Sequence, residues 1–174
     1  AVFHGTPTKG GFSIFDDTKV GKTSFGQLGS VDDKKAGFYF AESEEFAVSF
    51  AEQSRDGAVI PVFLRIEKPL DLRENDNAAV ARLREVAERM EELQPGFDVR
   101  YIADMAGHDH VWELLSVGEG GDVMVQAARD LGYDGIRMIE PNHDTREPEE
   151  VWVAFDNTQI KSADTNTGAY SLSN

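Results

Sequence analysis

Gly37-Phe38-Tyr39-Phe40-Ala41-Glu42-Ser43-Glu44-Glu45-Phe46-Ala47-Val48-Ser49-Phe50-Ala51 is the stretch whose reading decides the fold of this chain. Its first part is short and aromatic and reads as a strand end. Ser43 follows as a helix N-cap, with Glu44 and Glu45 in the first turn, where the helix dipole favours acids. Phe46, Ala47, Phe50 and Ala51 then recur at helical spacing and form one face. A strand end carrying Tyr39 and a helix carrying Phe50 can hold two rings across a slot wide enough for one flat heterocycle. The plain alternative is that both rings are core aromatics and the unit packs on itself.

Upstream, Val2-Phe3-His4 is a short apolar strand running into Gly5-Thr6. Residues 7–36 are rich in Gly, Lys, Asp and Ser, with Phe12 and Phe15 as anchors. They read as a long loop, and long ordered loops in compact domains tend to be functional. Downstream, Ala58 to Ile66 is a strand interrupted by Pro61, which places it at an edge or a bulge. Leu70-Asp71-Leu72 follows a Lys68-Pro69 turn. Val80, Leu83, Val86, Ala87, Met90 and Leu93 recur at threes and fours and predict a helix over 77–93, ended by Gln94-Pro95-Gly96. Residues 109–117 and 121–131 read as two more helices. The Gly118-Glu119-Gly120-Gly121 between them is no phosphate loop: it lacks Lys-Ser/Thr, and no strand leads into it. Gly132-Tyr133-Asp134-Gly135 is a helix stop and turn into a strand at Ile136–Ile139. Residues 140–149 read as a polar loop, and Val151 to Phe155 as a late strand. The tail, rich in Thr, Asn and Ser, is expected to be mobile from about residue 164. Strands at both ends with helices between them give an α+β pattern, and no linker or repeat divides residues 1–174.

A chain of 174 residues with 40% hydrophobic side chains is long enough to bury a sizeable core as one domain. No apolar run approaches the length of a membrane span. No signal peptide is visible, and the chain can begin inside a longer protein. With no cysteine, disulfides and thiol catalysis are excluded. The formal charge of −15 repels phosphate backbones, so nucleic acid is a poor default partner. The bland account of that charge is solubility alone. His108 and His110, with Asp104 and Asp109 nearby, lack a further ligand cluster, so no metal is expected there. His143 and Asp144 lie in the polar loop, where they are either solvated or part of an acceptor-facing wall.

Taken alone, His4 beside Gly5-Thr6 is an ordinary hydrogen-bonded strand histidine. The combination and its order say more. Phe3-His4-Gly5-Thr6, Gly37-Phe38-Tyr39-Phe40-Ala41, the second aromatic at Phe50, and Trp152-Val153-Ala154-Phe155-Asp156-Asn157-Thr158-Gln159-Ile160 resemble the ADP-ribosyltransferase superfamily. Within it they resemble the diphtheria-toxin and poly(ADP-ribose) polymerase branch, with its His–Tyr–Glu signature. Tyr133-Asp134-Gly135-Ile136 and Gln159-Ile160-Lys161-Ser162-Ala163, with Asn166 following, are similar to its bacterial and phage polyvalent-protein members. The resemblance spans residues 2 to about 166.

That resemblance implies two small antiparallel sheets clasping NAD, with helices around them. His4 would hydrogen-bond the adenosine ribose. The Gly5 backbone would hold the nicotinamide carboxamide, with Thr6 nearby. Tyr39 and Phe50 would sandwich the nicotinamide ring, and Tyr39 belongs to the catalytic set. A flat cationic ring binds well between aromatic faces. The reaction would cleave the nicotinamide–ribose bond through an oxocarbenium-like transition state, which a carboxylate stabilises.

The branch carries that acid on the late strand, and here the sequence departs from the pattern. Aligning on Phe155-Asp156-Asn157-Thr158-Gln159 puts Val151 at the acid position. Glu150 is one residue early, and a one-residue offset points to the other face of a regular strand. Glu149 shares the Val151 face about 7 Å further back. A bulge or strand end near Pro148 would swing Glu150 in, the favoured reading. Glu149 would otherwise reach in, or the site is acid-free at Val151 and an acidic acceptor supplies the charge.

The leading functional reading is a mono-ADP-ribosyltransferase using NAD as substrate and no metal. A protein side chain is the favoured acceptor and nucleic acid the disfavoured one, with no membrane involved. The resemblance implies a toxin-like or phage-encoded module acting in a bacterial or host cytoplasm, with a cognate inhibitor or immunity protein as a partner. The competing reading is a non-catalytic NAD or ADP-ribose reader that keeps His4, Tyr39 and Phe50. A 2′-phosphotransferase on the same fold would want a second histidine and an RNA-holding basic set, neither of which is evident.

Overall fold

A computed structural model describes residues 1–6, 15, 36–52, 55–74, 76–96, 102, 111–115, 120–142 and 144–163. In chain order these form β1 (Val2–Thr6), β2 (Phe38–Ala41), α1 (Glu44–Ala51), β3 (Ala58–Leu64), β4 (Pro69–Asp71) and α2 (Asn77–Leu93). A 3-10 turn at Val111–Leu115 follows, then α3 (Gly120–Asp130), β5 (Gly135–Pro141), β6 (Pro148–Ala154), a 3-10 turn at Asn157–Gln159 and β7 (Ile160–Ser162). The expected His108/His110 pair, Phe12, His143 and the tail lie outside the described residues.

The α+β class holds, but the sheet is continuous rather than two separate pieces. Seven strands are hydrogen-bonded in the order β4-β5-β6-β2-β1-β3-β7. β4 runs parallel to β5, and the other neighbours are antiparallel. The two expected halves survive as regions of this one sheet. The β4-β5-β6-β2 part and the β1-β3-β7 part meet at a single registered pair, Phe3↔Ala41. Beyond that pair β1 and β2 diverge.

The helices form where the apolar spacing placed them. Ser43 caps α1, its hydroxyl accepting from the Phe46 amide at 3.1 Å. Asp76 caps α2 through the Ala79 amide at 2.7 Å, and Ala79, Leu83, Val86, Ala87 and Met90 are its buried face. These helices and α3 pack with Ile136, Met138, Val151 and Val153 on one side of the sheet. The other side carries a smaller cluster of Phe15, Phe38, Phe40, Val62, Ala154 and Ile160. Period-two alternation along β6 therefore sends Val151 and Val153 to the helical side.

Pro61 sits on β3, which lies between β1 and β7 and is not an edge. β7 pairs only with Val62 to Leu64, so Pro61 falls just past its end. There its carbonyl accepts from the Ala163 amide at 3.0 Å, and no ladder bond needs the missing N–H.

Candidate active site

The divergence of β1 from β2 opens a cleft beside α1. Tyr39 and Phe50 both line it, with Gly5, Phe46, Glu140 and Val151. Its volume is about 50 Å³. At ~10–15 Å³ per water, that is room for several waters or one small flat ring, not a whole dinucleotide. Phe46 meets Phe50 edge-on at 5.0 Å between centroids and so fixes one wall. Gly5 lets β1 approach α1 closely. A Cβ there would fall 2.0 Å from the Ala47 carbonyl oxygen and 2.9 Å from the Phe50 Cβ. Thr6 is buried at the end of β1, opposite Ala58, and is not among the lining residues.

His4 spans the opening. Its Nδ1 lies 2.8 Å from the Tyr39 carbonyl oxygen. A carbonyl only accepts, so Nδ1 carries the hydrogen and Nε2 is the basic nitrogen of the neutral ring. Phe15 packs edge-on to the ring at 5.2 Å and Phe40 packs at 5.6 Å. Burial among them lowers the His4 pKa from its ordinary 6.5, opposed by the bond to Tyr39. The Tyr39 hydroxyl is buried. Its pKa stands well above the ordinary 10.0, first through burial and then through the negative charge of Glu140. At neutral pH the rim therefore presents a neutral imidazole and a protonated phenol.

The acids divide between the two faces of the sheet. β5 and β6 pair in unbroken register from Gly135↔Ala154 to Pro141↔Pro148, so the expected bulge near Pro148 is not there. Glu150 consequently points away from the cleft. Its carboxylate binds Arg137 closely and accepts from Arg73 Nη1 at 3.3 Å, while Arg137 stacks on Trp152 at 4.4 Å. Glu149 shares the cleft-side face but does not line the cleft, and the Asn142 amide sits 3.5 Å from it. Val151 does line it.

The acid inside the cleft lies in the stretch 140–149, expected as a polar loop, whose first two residues instead extend β5. Glu140 is 2% exposed, lies opposite Glu149 on β5, and faces the cleft. A usable signal was present in the strand parity. Ile136, Met138 and Glu140 alternate onto one face if the strand is carried two residues further.

Other motif residues staple the fold. The Gln159 Oε1 accepts from the Phe155 and Asp156 amides, both at 2.9 Å. Its Nε2 donates to the Asp134 carbonyl at 2.6 Å and to the Arg65 carbonyl at 3.2 Å. The Asp134 carboxylate accepts from the Glu67 and Lys68 amides at 2.7 and 2.8 Å. Among the described residues no three His, Cys, Asp or Glu side chains gather as a metal site. No helix among them is long and apolar enough to cross a membrane.

An α+β domain with an aromatic-walled cleft at a split in its sheet, rimmed by histidine and tyrosine, is what the strands and side chains define. The chain belongs to the family described as ADP-Ribosyltransferase in polyvalent proteins, whose model matches residues 1–170. Compared with curated proteins and with solved structures, it has no match in either. The family's reaction is ADP-ribosyl transfer, with NAD as substrate and a macromolecule as acceptor.

Proposed function

We propose that this domain transfers a single ADP-ribose from NAD to a protein side chain. The observation that carries the reading is the pairing of Tyr39 and Phe50 on the walls of one ring-sized cleft, in a chain of this family. The cationic nicotinamide ring enters between them, held by stacking and cation–π attraction. The Gly5 backbone fixes its carboxamide, and neutral His4 accepts from a ribose hydroxyl of the adenosine end. Cleavage leaves positive charge on the nicotinamide ribose, where the site must supply negative potential. Val151, at the position where the resemblance expects the acid, favours a single transfer over chain extension. The charge of −15 favours a protein acceptor over a nucleic acid. The family resemblance supports reading it as a toxin-like or phage-encoded module acting in a cytoplasm, with a cognate inhibitor as partner.

Val151 also supports a second reading, a module that binds NAD or ADP-ribose without transfer. Nicotinamide release from NAD, measured with and without a panel of candidate acceptor proteins, separates the two. Release and labelled acceptors are expected. Tight NAD binding without release would favour the reader, and no binding at all would sink both.

A further inference from the structure

We propose that Glu140 supplies the carboxylate that stabilises the ribosyl cation, reaching in from β5 in place of an acid at Val151. The inference rests on the transferase reading above and names the residue that completes it.

Three observations carry it. Glu140 lines the same cleft as Tyr39 and Phe50, whereas neither Glu149 nor Glu150 does. It is 2% exposed, on a face whose other β5 members are Ile136 and Met138. An apolar residue would continue that face without the desolvation cost of a buried carboxylate. Finally, the unbroken register sets Met138 opposite Val151 and Glu140 opposite Glu149. Glu140 is then the diagonal neighbour of Val151 on one face, a spacing of about 7–8 Å that a glutamate side chain can span. The carboxylate is thus displaced by one strand while the cleft it serves is unchanged. Its charge is felt within the cleft, since it helps hold the Tyr39 phenol protonated.

In the step itself, the bond between C1′ of the ribose and the nicotinamide nitrogen breaks. Both electrons leave with nicotinamide, which departs neutral. Positive charge spreads over C1′ and the ring oxygen, and Glu140 faces it. A lone pair from the acceptor, or from water in hydrolysis, closes the new bond to C1′. The proton it carried passes to solvent. Glu140 remains a carboxylate throughout.

The test compares nicotinamide release, NAD affinity by calorimetry and thermal melting across variants. Glu140→Gln should lower kcat by about 10²–10³, the scale of one positioned electrostatic group, with NAD affinity within a few-fold. Glu140→Asp keeps the charge but withdraws it by one methylene, and should lose less. Adding Val151→Glu to Glu140→Gln returns a charge to the same face and should recover at least about tenfold, a rescue that a merely structural role would not give. If Glu140→Gln does not fold, Glu140→Asp decides: kcat equal to wild type overturns the proposal, and a tenfold loss at unchanged affinity supports it. Wild-type kcat in Glu140→Gln, or the large loss appearing in Glu150→Gln instead, also overturns it. An active wild type matched by Glu140→Gln defeats this inference alone. A wild type that releases no nicotinamide defeats the transferase reading and this inference together.

Discussion

The imidazole of His4 donates through Nδ1 to the main-chain carbonyl of Tyr39 at 2.8 Å, across the place where the ladder between their strands has stopped. A side chain here takes over from a missing backbone bond. The tyrosine that walls the cleft is therefore positioned by the histidine on the opposite rim.

Acid should undo this arrangement. Burial lowers the His4 pKa from 6.5, so between the lowered value and 6.5 the unfolded chain binds more protons than the folded one. Stability then rises with pH through that window and is lost as pH falls below 6.5, by at most about 1.4 kcal/mol per pH unit. Melting curves of wild type and His4→Gln from pH 7.5 downward check it. The variant should show the shallower acid slope, and parallel slopes would contradict it.

If His4 orients substrate as proposed and moves no proton, His4→Ala should weaken NAD binding more than it slows turnover at saturating NAD. A large loss of turnover at unchanged affinity would reverse that assignment.

Removing either ring should be felt in binding. Tyr39→Ala and Phe50→Ala are each expected to cost about 1–3 kcal/mol in NAD affinity. Calorimetry on folded variants measures this, and a Tyr39→Ala domain that binds NAD as well as the parent would move the pocket elsewhere.

Gly5→Ala pushes a methyl into the Ala47 carbonyl, 2.0 Å from where it would sit. Backbone cannot yield as a side-chain tip does, so β1 and α1 must separate. A loss of about 1–3 kcal/mol is expected in denaturant unfolding, together with weaker NAD binding. An unaltered midpoint would show that the two elements have room to part.

Glu150→Gln strips one charge from a set that includes Arg137 and Arg73, on a side chain 19% exposed. Leaving those guanidinium groups undercompensated should cost about 1–3 kcal/mol of stability. Thermal melting tests it, and no change in melting temperature would mean that Glu42 and Asp71, which also bridge these arginines, suffice.

Much of this molecule was legible from spacing alone. The α2 helix runs Asn77–Leu93, as its apolar rhythm foretold, because one long face decides its boundaries. The unit from Phe38 to Ala51 was legible because Ser43 caps locally. Parity also foretold that Glu150 and Val151 face opposite ways, and it was only the supposed bulge that the ladder does not contain. Glu140 was hidden for a physical reason. An acid just before Pro141 looks like a hairpin turn, yet pairing with Glu149 and Pro148 carries the strand through both residues. The join at Phe3↔Ala41 was likewise unreadable, since it depends on partners distant in sequence. The motif around Asp134 and Gln159 was visible as a pattern, while its work, four hydrogen bonds at one side-chain amide, depends on main-chain groups as distant in sequence as Arg65.

The pairing of β2 with β6 joins residues 38–41 to residues 151–154. During synthesis the aromatic wall of residues 38–50 leaves the ribosome before Glu140 and Val151 do. Such distant contacts close late, because the intervening chain must first give up its freedom. A fragment ending before β6 carries Tyr39 and Phe50 but lacks the strand that sets them against the far wall. A half-made domain, or one clipped between β2 and β6, would thus have no assembled cleft.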